Sequence, residues 1–131
     1  MTQRTARCSC GQLTLRTAEE PLRISICHCH ACQRRTGSVF GVQARFRAQA
    51  VEIHGRSSRY MRPGESGGRL RFYFCPACGA TVYYELDGLE DIVAVPIGAF
   101  ADPAFPVPNI SVYEECMHDW VTLPDGIEHQ D

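Results

Sequence analysis

The sequence predicts a mainly β protein, on three observations. Short runs alternating apolar and polar residues recur at intervals of about 8–12 residues, with Gly, Pro, Asn and Ser between them, the pattern of an all-β sandwich or open barrel. No heptad, internal repeat, low-complexity tract or long amphipathic helix interrupts those runs. The 131 residues, 44% hydrophobic and 21% charged, suffice for one domain, 1–131, whose core needs no disulfides.

The first alternating run, 7–16, reads as one strand bent at Gly11. The next, 22–27, leads straight into a cysteine cluster, and a short helix after Cys29 is the one helix the pattern supports. Segments 39–46 and Val51–His54 are short and rich in β-formers. Residues 62–68 have the Pro, Gly and Ser content of a surface loop. Arg69–Phe74 alternates into Cys75-Pro76-Ala77-Cys78-Gly79, and Thr81–Leu86 and 92–97 supply two more strands. After Pro103, Pro106 and Pro108, a last strand at 109–114 precedes a tail holding the single tryptophan, Trp120.

The formal charge of −2 gives no basic footprint for nucleic acid, and no apolar run is long enough to span a membrane. All thirteen basic residues are arginine, which suits paired recognition of carboxylates. The N-terminus lacks an apolar signal core, so a reducing cytoplasm is the expected location. There, eight cysteines are expected to be metal ligands rather than disulfides.

Two clusters divide those cysteines. Cys8 and Cys10, two apart on an expected strand, share a face and can converge on one ion. Cys75 and Cys78, separated by two residues, curl around a metal, and Gly79 tolerates the positive φ that such a turn needs. Together they make a closed four-cysteine site of the structural zinc type, stapling the start of the chain to its middle. The second cluster is Cys27, Cys29 and Cys32. Three thiolates with no obvious fourth ligand leave a zinc ion one open position. Such an anionic centre is a poor activator of water and is better suited to holding a thiol as thiolate while the sulfur meets an electrophile. Arg34 and Arg35 follow directly and are candidates to offset that charge or pair with substrate carboxylates. His28 is expected on the opposite face of its strand. Other readings stay open: closure of the second site by His30, Cys116 or His118, an empty redox-active thiol cluster, or a zinc-knuckle fragment, which the acidic balance disfavours. Cys116 is otherwise a half-buried free thiol.

These motifs, Cys8-Ser9-Cys10-Gly11, Cys27-His28-Cys29-His30-Ala31-Cys32-Gln33-Arg34-Arg35-Thr36-Gly37 and Phe74-Cys75-Pro76-Ala77-Cys78-Gly79, resemble those of the glutathione-dependent formaldehyde-activating enzymes, a family that shares its domain with centromere protein V. The tail 119–126 also looks like that family's Trp-containing tail. The resemblance implies an Mss4-like fold, a small twisted sheet with a structural zinc. It implies two zinc ions per chain, one held by Cys8, Cys10, Cys75 and Cys78 and one by Cys27, Cys29 and Cys32. It also implies condensation of formaldehyde with glutathione, a carbon–sulfur lyase reaction in reverse. The expected partners are therefore a small thiol such as glutathione and a small aldehyde. Tyr73, Tyr83 and Tyr84 are candidates to line the cleft. A rival reading is a non-catalytic carrier of thiol or aldehyde, or a protein-interaction module.

Overall fold

The computed structural model describes residues 3–64 and 67–130. Glu65 and Ser66 of the expected 62–68 loop lie outside the described residues. The strands are β1 (Arg4–Arg7), β2 (Thr14–Thr17), β3 (Arg23–Cys27), β4 (Gly41–Arg47), β5 (Val51–His54), β6 (Ser58–Pro63), β7 (Arg69–Phe74), β8 (Thr81–Leu86), β9 (Ile92–Pro96), β10 (Ile110–Val112) and β11 (Glu128–Gln130). The helix after Cys29 is α1 (His30–Thr36). β1, β2 and β5 form a three-stranded sheet, and the other strands form an eight-stranded sheet in the order β11-β10-β3-β4-β9-β8-β7-β6. The fold is mainly β, with twisted sheets.

Strand alternation sorts the residues of the larger sheet onto two faces. Ile24, Ala44, Phe46, Val93 and Val95 turn one way and pack with Ala6, Leu13 and Leu15 of the small sheet and its loop into the main core. Phe46 is fully buried and meets Phe100 edge-on at 6.1 Å, while Phe100 stacks on Phe105 at 4.9 Å. Burying a side chain such as Phe46 stabilises the fold by about 1.5–3 kcal/mol. The opposite face carries Arg23, Ser25 and Cys27 of β3 beside Gln43 and Arg45 of β4, with Ser25 opposite Gln43 and Arg23 opposite Arg45. That face is the floor of the cleft described below.

The structure corrects the expected strand 7–16. It is a hairpin in which β1 and β2 pair antiparallel, Arg7 opposite Thr14, and 8–13 form the connecting loop. The Gly11 N–H donates to the Cys8 carbonyl at 3.1 Å and the Cys8 N–H to the Leu13 carbonyl at 3.0 Å, so the chain reverses where the alternation suggested continuity. Cys8 and Cys10 therefore converge through a turn and not through a shared strand face. Two strands are additional to the expected set. β6 is an edge strand with exposed Tyr60 and Met61, so it lacks a clear alternation, and its terminal Pro63 is tolerated because the edge needs no further ladder bond. β11 lies in the Trp120 tail and pairs parallel to β10 at the other edge.

The β7–β8 hairpin is fastened by charge. Asp87 accepts from the Arg69 backbone N–H and Nε, each at 3.1 Å, and from Arg71 at 2.7 Å, while Arg71 also reaches Glu85 at 3.2 Å. Hydrogen bonding from Arg71, then Arg69, holds the Asp87 carboxyl at about 2, below its ordinary 3.8. The sign follows: this contribution to stability is complete above about pH 4 and is lost as pH falls through about 2. Asp87→Asn is expected to lower the unfolding midpoint near neutral pH, with the gap to the native protein closing between pH 4 and pH 2. A gap of constant size across a pH series of thermal unfolding curves contradicts this.

Candidate metal centres and active-site cleft

The first cluster forms where the β1–β2 loop meets the turn after β7. The sulfurs of Cys8, Cys10, Cys75 and Cys78 all lie within 4.8 Å of one another. Cys8 and Cys10 sulfurs are 3.6 Å apart and those of Cys10 and Cys75 3.7 Å. A tetrahedral zinc with bonds of about 2.3 Å puts its sulfurs about 3.8 Å apart, so the donor set and spacing fit such an ion. Cys8 and Cys75 are buried, and Gly79 adopts φ 80°, as the turn requires.

N–H donors surround these sulfurs. Leu13 N–H and Ala77 N–H donate to Cys8 and Cys75, each at 3.3 Å, and the Gln12 side-chain amide donates to Cys75 at 3.0 Å. The Gln12 bond, foremost, holds the Cys75 thiol down at about 6. Burial pushes Cys8 up, but the Leu13 N–H and neighbouring thiols bring it below its ordinary value. Cys10 shifts the other way: the Gln12 N–H draws it down, but the Cys8 and Cys75 sulfurs push it up to about 11. Gln12 went unnoticed in the sequence. Its amide also donates to the Arg56 carbonyl at 2.8 Å and accepts from the Arg56 N–H at 2.9 Å, tying the metal loop to the β5–β6 turn. Gly55 in that turn has φ 104°, and any side chain there would strike the Gln12 carbonyl.

The second cluster caps one end of the larger sheet's free face. Cys27 ends β3 between Gly41 of β4 and Val112 of β10. Cys29 is the N-cap of α1, its sulfur accepting the Cys32 N–H at 3.4 Å, and Cys32 lies in the first turn of that helix. All three are buried, with their sulfurs within 4.8 Å of one another, and among the described residues no fourth His, Cys, Asp or Glu joins them. His30 is exposed. Gln33 ties the backbone at Cys116 and the His118 ring: its amide donates to the His28 carbonyl at 2.9 Å and the Cys116 carbonyl at 3.2 Å, while its Oε1 meets His118 Nε2 at 3.1 Å. His28 turns away from the cluster, fully buried, with Nε2 3.0 Å from the Ser111 hydroxyl. Cys32 is drawn down to about 6 by Cys27, helped by Cys29 and Arg35, and the same bond pushes Cys27 up.

Arg35 and Arg34 have different surroundings. Arg35 hydrogen-bonds Cys32 and lies over the rings of Phe72 and Tyr84 at 5.0 and 5.6 Å. It follows Cys32 by three residues, the helical spacing that shares a face. Gly41 makes room for it, since a Cβ there would come within 3.1 Å of the Arg35 guanidinium and 3.5 Å of Cys32 Cβ. Arg34 is exposed and does not line the cleft.

The cleft that opens beside the three cysteines has a volume of about 440 Å³. Arg23, Ser25, Gln43 and Arg45 form its floor, with Arg62 and Tyr84 among its other lining residues. Tyr73 and Tyr83 do not line it; they stack on each other at 4.6 Å, and Tyr83 belongs to the main core. Strand parity separates them from Tyr84, which pairs with Phe72 on the cleft side.

Fold and clusters together define a small β protein with a four-cysteine node and a three-cysteine node, the latter opening on a cleft. Residues 3–116 match the family model of the glutathione-dependent formaldehyde-activating enzyme, and the chain belongs to that family. The tail 119–126 lies beyond the matched residues. A crystal structure of a Rhodobacter sphaeroides protein is similar in fold, with 18% sequence identity, a TM-score of 0.58, and coverage of 76% of this chain and 91% of that one. No curated protein matches the sequence. Among the described residues, no helix is long and apolar enough to cross a membrane.

Replacing Gln12 with Leu removes the N–H donor to Cys75 and both bonds to Arg56. The expected result is a loss of stability of about 1–3 kcal/mol, with metal affinity at this node weakened about 10–100-fold. Chemical unfolding and competition with a zinc chelator read the two effects, and native values for both contradict the role assigned to Gln12.

Proposed function

We propose that the protein is a zinc-dependent enzyme of the carbon–sulfur lyase type, joining a small thiol such as glutathione reversibly to formaldehyde or another small aldehyde. The observation that carries this reading is the three-cysteine cluster, which has no fourth protein ligand among the described residues and opens on the cleft. In this reading the chain is one domain, 1–131, working in the cytoplasm. It binds two zinc ions, a structural one on Cys8, Cys10, Cys75 and Cys78 and a catalytic one on Cys27, Cys29 and Cys32. The catalytic ion supplies Lewis acidity that keeps a thiol deprotonated near neutral pH.

The chain's own residues then shape the reaction. Arg35, hydrogen-bonded to Cys32, spreads the negative charge of the cysteine trio and is a positioning residue. Its stacking on Phe72 and Tyr84 and the absence of a side chain at Gly41 hold it there. The buried cleft wall around Val112 and Tyr84 limits water at the reacting sulfur. As the thiol sulfur bonds to the aldehyde carbon, the carbonyl π bond opens onto oxygen, which takes up the proton that the thiol released. Tyr84, a phenol that burial pushes up from its ordinary value and that lines the cleft, is the hydrogen-bond donor we assign to that oxygen. Arg34, exposed on α1, has no part in these steps. Thiol addition to an aldehyde is already easy, so the acceleration required is modest.

Exchange NMR of formaldehyde with glutathione tests the reading. The native protein is expected to speed exchange and Cys29→Ser to abolish that acceleration; identical rates for the two remove the mechanism. Metal and thiol counting tests the ligand assignment separately. Two zinc ions and one reactive thiol, Cys116, per chain are expected from the two clusters. One zinc ion with four reactive thiols contradicts the second centre.

A further inference from the structure

We infer that the cleft contains a second recognition site, built by Arg23, Arg45 and Gln43, which binds a carboxylate together with an adjacent N–H donor on the same small molecule. The inference rests on the reading that this cleft receives the thiol, and it adds the chemical group that the thiol must carry.

β3 and β4 place these residues on the same face as Cys27. Arg23, Ser25 and Cys27 alternate along β3, and Arg45 and Gln43 stand directly opposite Arg23 and Ser25. Two like charges opposed across a ladder destabilise a sheet unless something lies between them. Among the described residues, no Asp or Glu forms an ion pair with Arg23, Arg45 or Arg62, although Arg4, Arg47, Arg69 and Arg71 each have an acidic partner. The described cleft lining contains these three arginines and no acidic residue. Arg62 is held over the Phe72 ring at 5.1 Å, on the far side of the cleft.

Gln43 defines the other half of the ligand. It is 7% exposed, and its amide donates to the Ser25 hydroxyl at 3.2 Å. Its Oε1 is buried with no hydrogen-bond partner, and so is Arg23 Nε. Gln43 Oε1 lies toward the cysteine end, 3.4 Å from where a Gly41 Cβ would stand, and it and Arg23 Nε are each costly to leave unmet unless a ligand satisfies them. A carboxylate suits paired guanidiniums geometrically. An amide N–H or ammonium next to that carboxylate supplies what Gln43 Oε1 lacks. Phosphate and sulfonate can meet the arginines but carry no N–H. Cys27 and Arg23 are four residues apart on β3, about 13 Å along the strand. That backbone span suits a short peptide thiol better than a two-carbon thiol.

The test is calorimetric titration of the zinc-loaded protein with S-methylglutathione, which has the carboxylates but no free thiol. Binding is expected, at least about tenfold weaker after Arg45→Gln or Gln43→Leu. With the native protein, S-methylglutathione with both carboxylates amidated is expected to bind at least about tenfold more weakly than the parent, which needs no variant to fold. Equal affinities for the parent and the amidated ligand overturn the site. Inorganic phosphate competing as well as the peptide overturns the N–H half of the assignment. If S-methylglutathione binds in this Arg45-dependent way while formaldehyde exchange is not accelerated, the recognition site stands and the catalytic reading fails.

Discussion

The period-two alternation of β3 is the constraint on which fold and site both depend. Ile24 turns into the main core against the small sheet, while Arg23, Ser25 and Cys27 turn out onto the cleft. Because β3 is paired on both sides, with β4 and with β10, its register cannot slip without exposing Ile24 and burying the arginine. The same packing that stabilises the domain therefore fixes where Cys27 and the cleft floor stand relative to each other. α1 then brings Cys29 and Cys32 to Cys27, its N-cap sulfur accepting the first-turn N–H of Cys32.

The four-cysteine node acts at longer range. It ties the β1–β2 loop to the turn after β7, and Gln12 extends the tie to the β5–β6 turn. An ion bound there couples metal affinity to folding free energy, since these segments meet only in the folded chain. The two clusters thus divide their tasks. One lies at the junction of distant loops, ringed by N–H donors. The other lies at the mouth of a cleft with three arginines in its lining.

Both cysteine sets were legible in the sequence because metal ligands converge through short local spacings that tolerate errors in the strand assignment. Cys8 and Cys10 illustrate the point: a turn, not a strand, brings them together, yet the grouping holds. Most strands were legible from alternation, whereas β6 and β11 were not, being edge strands without a buried face of their own. The cleft floor was less accessible. Arg23, Arg45 and Arg62 come to line one cleft only through the sheet order, which no local pattern encodes. Two finer distinctions were within reach of parity. Helical spacing from Cys32 selects Arg35 over Arg34, and strand parity sets Tyr84 apart from Tyr73 and Tyr83.

The central claim is that the three-cysteine centre keeps one position free for a thiol. Zinc-edge X-ray absorption on the fully loaded protein addresses it directly. Seven protein sulfurs shared by two ions give about 3.5 sulfurs per zinc, with a light atom completing the coordination of the three-cysteine ion. Adding glutathione is predicted to raise that number to about 4 as the light atom leaves. About four sulfurs per zinc before any thiol is added, unchanged afterwards, would mean a closed second centre and contradict the account.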